Sequence, residues 1–385
     1  MKTRNSEESG AKARDELLDA IRGLSALMVL AAHIRGFVFL DFGELTHPGP
    51  VAKAFYFGTG IHHQAVMVFF VLSGYFVGGG VLRSIQADRF AWKRYALARI
   101  CRLWMALIPA LVLTLVCDWV GGTLAPEAYG GGWHAQWFSG PTESSPARHD
   151  AITLLGNLAF LQTISVPVFG SNGPLWSLAN EFWYYLTFPL LAVGAWNLAK
   201  SPKRRIFGLV SLLTGVSVLC WLPLPLVSKG AVWLLGVVVW LLATFADQLP
   251  ARSRHLWRIT GACAFVATLV LSKTDSPLGS DFAVGLAFAI WMMVLLGPWI
   301  RCSFLRPVSR FFSEISYTLY VTHFPILFLF AATQLKGSQL EFGPKGVGLF
   351  LLLFLGCILI ATLLWWLFER RTNDVRKQIS RLLGH

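Results

Sequence analysis

Charge is what this chain has least of. Only 14% of its 385 residues are Asp, Glu, Lys or Arg, against 55% that are hydrophobic, too few to clothe a soluble protein of this length. Acid is scarcer than base: 20 Asp and Glu stand against 33 Lys and Arg, for a formal net charge of +13. The six cysteines (Cys101, Cys117, Cys220, Cys263, Cys302 and Cys357) occur singly, without the paired spacing of a zinc site or a disulfide framework. No polar stretch between the apolar runs is long enough for a sizeable soluble domain. No internal repeat is apparent, which weakens a transporter built from duplicated halves. There is no basic domain and no base-reading motif, so the positive charge lends nucleic acid binding no support.

What the chain does have is apolar length. Runs of spanning length fall at about 17–40, 61–82, 95–120, 174–198, 206–224, 230–248, 258–273, 281–300, 311–333 and 347–368. Most approach the roughly 20 residues that a hydrocarbon core of about 30 Å requires. The expected fold is therefore all-α, a polytopic membrane helix bundle of about ten transmembrane helices. One membrane domain covers 17–370, between a disordered cytoplasmic tail at 1–16 and a basic cytoplasmic tail at 371–385. No signal-peptide pattern precedes the first span. Placing the N-terminus inside puts 26 of the 33 Lys and Arg on the cytoplasmic side. Both termini are then cytoplasmic, and the basic inner face suits anionic membrane lipids. Segment 151–165 is apolar enough to mimic another span. Counting it would send KSPKRR (200–205) outward and reverse every later cluster, so it is read as an interfacial or re-entrant helix. The one long outer connector, 121–150, carries Trp133, His134 and Trp137, aromatics able to stack on sugars or to anchor at the membrane surface.

Polar groups inside the spans point to function, because lipid tolerates them only with a partner or a wet cavity. Arg22 and His33 share the first span, eleven residues and about 16 Å apart, which sets His33 near midplane if Arg22 marks the boundary. His33 is either part of a site or a buried ring satisfied by a neighbouring helix. Ser73 and Gly74 interrupt the second span, where Gly74 and Gly78 make a small-residue face for helix packing. Arg99 and Arg102 share one face at the start of the third. With Arg22 they form a plausible seat for phosphates or an ordinary positive-inside cluster. Glu181, two turns into the fourth span, could orient a histidine, bind a hydroxyl or pair with an arginine. The ninth span adds Ser316, Tyr317, Tyr320 and a second intramembrane histidine, His323.

Arg22 and His33 with ten residues between them, FFVLSGY (69–75), PLWSLANEFWYY (174–185) with Trp176, Ser177, Leu178 and Glu181, and ISYTLYVTH (315–323) stand in one order along the chain. Together they resemble the acyltransferase family 3 of integral membrane enzymes, over about 15–370. The resemblance implies transfer of an acyl group, usually acetyl from acetyl-CoA, to a hydroxyl of a carbohydrate on the outer face of a bacterial inner membrane. It implies His33 as general base or transient acyl carrier, either role needing a neutral imidazole, with Arg22 and Glu181 also in the catalytic group. Arg22, Arg99, Arg102 and Ser73 would hold the acyl-CoA donor. Trp176, Ser316, Tyr317 and His323 would line the acceptor side, and no metal is required. A transporter or flippase for a lipid-linked sugar would bury similar groups, and a scaffold of envelope assembly is the third reading.

Overall fold

The computed structural model describes residues 2–137, 140–200, 202–243, 250–296 and 306–383. The helices are α1 (Lys2–Val38), α2 (Pro50–Thr59), α3 (His62–Ser73), α4 (Gly79–Gln86), α5 (Trp92–Leu124), α6 (Pro126–Tyr129), α7 (His134–Trp137) and α8 (Ala151–Leu158). They continue as α9 (Leu175–Lys200), α10 (Arg205–Trp221), α11 (Leu224–Leu241), α12 (Ala251–Leu271), α13 (Asp281–Leu295), α14 (Arg306–Phe330), α15 (Pro344–Leu367) and α16 (Thr372–Leu382). Among the described residues there is no strand, only isolated bridges. The chain is an all-α, multi-pass membrane protein: seven helical stretches among the described residues are long and apolar enough to cross a bilayer.

All ten expected spans fall on helices, although the ends of two, at 244–248 and 297–300, lie outside the described residues, as does Cys302. Three of the ten are not among the seven apolar stretches. Helix α9 is diluted by Asn180 and Glu181, α12 opens with three arginines, and α13 is only 15 residues long. Helix α8 has eight residues, about 12 Å of rise, which cannot cross the hydrocarbon. Its start is capped by Asp150, which accepts from the Thr153 amide at 2.9 Å and from its hydroxyl at 2.7 Å. Those bonds hold the Asp150 carboxyl below the usual carboxylate range. Both expected tails are helical where described. Helix α1 begins at Lys2, in a segment rich in Glu, Lys, Ala and Arg, all good helix formers. The basic C-terminal segment forms α16, packed on α5.

Two compact units divide the chain. The first contains Met1–Ser25, His63–Ala91 and Asn180–Ser313. Within it, α3 runs through a π-helical turn, Gly74–Gly78, into α4, and this stretch lies against α11. A Cβ on Gly236 would come within 1.9 Å of the Val71 carbonyl oxygen, and one on Gly74 within 1.9 Å of the Trp233 carbonyl oxygen. Only hydrogen fits at that crossing, so packing accounts for the glycine of FFVLSGY.

The second unit contains Ala26–His62, Trp92–Ala179 and Glu314–His385. Exposed apolar side chains run along α5 (Ile108, Val112, Leu115, Trp119) and α15 (Leu352, Leu355, Leu359, Leu363), the expected surface for lipid. At the end of α1, the Leu340 amide donates to the Val38 carbonyl at 2.8 Å, the Leu40 amide to the Leu340 carbonyl at 3.0 Å, and Gln339 Nε2 to the Gly36 carbonyl at 2.7 Å. These bonds tie α1 to the connector between α14 and α15.

Candidate active site: a histidine pair on two membrane helices

His33 and His323 meet. His33 Nδ1 lies 2.8 Å from His323 Nε2, and the ring centroids stand 5.0 Å apart with planes 22° from parallel. His323 is buried, 1% exposed. Its Nδ1 lies 2.8 Å from the carbonyl oxygen of Leu319, one turn earlier on α14. A carbonyl only accepts, so His323 Nδ1 carries the hydrogen. His62, at the start of α3, brings a third imidazole to 5.3 Å from the His33 ring. Phe324 closes on His33 edge to face at 5.2 Å, and Phe37, Trp137 and Phe328 extend the aromatic wall. His33 lies five residues, about 7 Å, from the C-terminal end of α1.

Other predicted residues of this unit lie on α5, α9 and α14. Tyr320 shares the α14 face of His323, ring centroids 6.2 Å apart, and its hydroxyl is 2.7 Å from Ser177 Oγ. Ser316 is buried and Tyr317 half-buried on the same helix, and Trp176 is half-buried at the start of α9. Arg102 is paired with the buried Glu369 carboxylate, which also accepts from Thr318 Oγ1, and its guanidinium lies over the Tyr317 ring at 5.4 Å. Arg99 lies over the ring of Tyr95 at 5.8 Å. Both arginines thus have aromatic neighbours within the protein, and Arg102 is also charge-paired.

Arg22, Ser73 and Glu181 belong to the other unit. There Arg22 Nη1 is 3.5 Å from Ser313 Oγ and 3.8 Å from Asp19 Oδ1, with its guanidinium 4.9 Å from the Phe76 ring centre. Ser73 Oγ accepts from Trp233 Nε1 at 3.0 Å and lies 3.0 Å from the Tyr185 hydroxyl. Glu181 is half-buried on α9, one turn before Tyr185 and on its face.

Two groups escape a reading of the sequence alone. His62 opens an apolar run and could have been flagged by the pair His62-His63. Asp118 lies near the end of α5 and is 2% exposed. It accepts from His149 Nε2 at 2.8 Å, the Ser171 amide at 2.7 Å and Ser171 Oγ at 2.6 Å. Gly170 has φ +58° and presents its α-carbon to this carboxylate, where a Cβ would stand 2.1 Å from Oδ2. Asn172 then donates to Thr114 Oγ1 and to the Val321 carbonyl, fixing the loop to the helix of His323. Trp137 of the outer connector is buried at 4% exposure against Phe37 and Phe328, so it is part of the core rather than a surface anchor. Among the described residues no group of three or more His, Cys, Asp and Glu could hold a metal ion.

A helical membrane protein that buries a hydrogen-bonded imidazole pair has the components of a proton-transfer site within its bundle. The acyltransferase family 3 model, described as an acyltransferase domain, matches residues 15–370, and the chain belongs to that family. It is 24% identical over 327 residues to an O-acetyl transferase of Shigella phage Sf6, covering 81% of this chain and 85% of that protein. No solved structure matches.

Proposed function

We propose that the chain, a membrane acyltransferase of the O-acyl type, transfers an acetyl group from cytoplasmic acetyl-CoA to a hydroxyl of an extracytoplasmic carbohydrate, in the cytoplasmic membrane of a bacterium, with His33 as the general base. The observation that supports this reading is the imidazole pair: His33 Nδ1 lies 2.8 Å from His323 Nε2 inside an apolar bundle. His33 takes the proton of the attacking hydroxyl as its oxygen bonds to the thioester carbonyl. The carbon–sulfur bond breaks, the thiolate leaves, and the imidazolium returns the proton to that sulfur. Arg99 and Arg102 would bind the donor's phosphates. Trp176, Ser316 and Tyr317 would line the acceptor side, while Arg22, Ser73 and Glu181 enter by resemblance alone.

Purified protein in proteoliposomes, given labelled acetyl-CoA outside and polysaccharide extracts within, tests the proposal. Label should pass to polysaccharide with wild type and not with His33→Gln. Undiminished transfer by that variant removes His33 from the mechanism. Passage of a lipid-linked sugar without thioester consumption would establish the flippase reading instead.

A further inference from the structure

The proposed chemistry needs more than an imidazole at position 33. It needs the lone pair on a defined ring nitrogen, and the hydrogen bonds around His323 decide which. A neutral imidazole has one N–H and one lone pair. The Leu319 carbonyl fixes the N–H of His323 at Nδ1, so a neutral His323 presents only a lone pair at Nε2. His33 Nδ1 stands 2.8 Å from that lone pair, and the bond forms only if His33 carries its hydrogen on Nδ1. Nε2 of His33 is then left with the lone pair. Free histidine side chains favour the other tautomer, with hydrogen on Nε2, so the arrangement reverses the ring's own preference.

We propose, on the basis of the function assigned above, that His323 is a positioning residue that sets the tautomer of His33 and thereby makes Nε2 the basic nitrogen of acyl transfer. The relay runs from His33 Nδ1–H to His323 Nε2, and from His323 Nδ1–H to the Leu319 carbonyl. When the acceptor hydroxyl gives its proton to His33 Nε2, the Nδ1–H bond becomes charge-assisted and stronger. The cation is then stabilised without a permanently buried carboxylate, whose desolvation would be costly inside a bilayer. When the thiolate takes the proton back, both rings return to their starting state. The rings of His62 and Phe324, at 5.3 and 5.2 Å, flank His33 and limit its rotation.

Two substitutions separate positioning from structure. His323→Asn keeps a donor near the δ position, able to satisfy the Leu319 carbonyl, but is too short to reach His33. His323→Gln places an amide oxygen near the position of Nε2, where it can accept from His33 Nδ1. With acetyl-CoA and a polysaccharide extract that wild type acetylates, His323→Asn and His323→Ala should lower kcat by about 10²–10⁴-fold with little change in KM. His323→Gln should stay within about tenfold of wild type, as expected when the correct tautomer survives with imperfect geometry. Equal or better activity of the Asn variant, or a loss seen in KM alone, overturns the proposal.

A measurement on the wild-type protein does not depend on a variant's folding. Nitrogen-15 NMR of histidine-labelled protein, with His33 assigned by difference from His33→Gln, should show Nδ1 protonated and Nε2 of pyridine type. The opposite tautomer refutes the relay. If His33→Gln leaves transfer intact, the functional reading fails. If it abolishes transfer while no His323 substitution lowers kcat, only the relay fails.

Discussion

The ion pair between Arg102 and Glu369 can be broken from either side, and burial makes the two sides unequal. The Glu369 side chain is 1% exposed and that of Arg102 is 40% exposed. Arg102→Gln strands a buried carboxylate that keeps the hydrogen bond from the Thr318 hydroxyl, a loss of about 3 kcal/mol, at the lower end for a broken buried pair. Glu369→Gln leaves a guanidinium that still reaches water and still lies over Tyr317, a loss of about 1 kcal/mol, as for an exposed pair. The double substitution strands no charge and replaces the pair by amides able to hydrogen-bond. It should lie about 1 to 2 kcal/mol below wild type, giving a coupling of about 2 to 3 kcal/mol, within the range for residues in contact. Unfolding in mixed detergent and SDS, followed by tryptophan fluorescence, measures all three. Equal losses from the two single substitutions, or a coupling under about 0.5 kcal/mol, would refute the burial argument. The same double variant tests the second role proposed for Arg102. If the guanidinium also binds donor phosphates, the KM for acetyl-CoA rises by about tenfold, the scale of one lost charge-assisted contact. An unchanged KM in a folded double variant would assign Arg102 to structure alone.

Gly74→Ala or Gly236→Ala must push α3 and α11 apart, since each added Cβ would meet a carbonyl oxygen at 1.9 Å. A loss of about 3 kcal/mol is expected, the upper part of the overpacking range, read as a lower thermal midpoint in detergent. Gly80→Ala, where nothing lies within 4 Å, should behave as wild type. Asp118→Ala removes the acceptor shared by His149 and Ser171, and the loss should be about 3 kcal/mol from a buried, multiply bonded carboxylate. Hydrogen exchange at the Ser171 amide should rise with it, and an unchanged rate would show that another group holds the loop.

The helices were legible because a lipid-facing helix must be apolar through its length and internally hydrogen-bonded, a demand that composition alone reveals. Periodicity also told correctly that Tyr320 and His323 share a face, because three residues of separation turn both side chains the same way. It could not tell that His33 meets His323. Spacing reports neighbours along one helix, and these two lie 290 residues apart. Glu369 escaped for a related reason. In FERR it stands beside two arginines and reads as part of a solvated charge cluster, yet the chain buries it against Arg102 and Thr318. Asp118 is hidden in composition by the apolar run around it, although an acid there has the same need of partners as Glu181 or His33.

Polar residues in the spans therefore divide by what satisfies them. Ser73 has Trp233 and Tyr185, Asp118 has His149 and Ser171, and Glu369 has Arg102 and Thr318. Each of these networks joins separate segments and closes on protein groups, which is what a bundle without a hydrophobic drive between its helices needs for cohesion. The histidine pair is built differently. In the relay proposed above, its hydrogen bonds run in one direction, from His33 through His323 to a backbone carbonyl, and such a relay would end on a ring nitrogen whose lone pair is directed away from it. A network that serves only cohesion has no need of such an end. Catalysis does, because a base is useful only if its lone pair is not already spent on the protein.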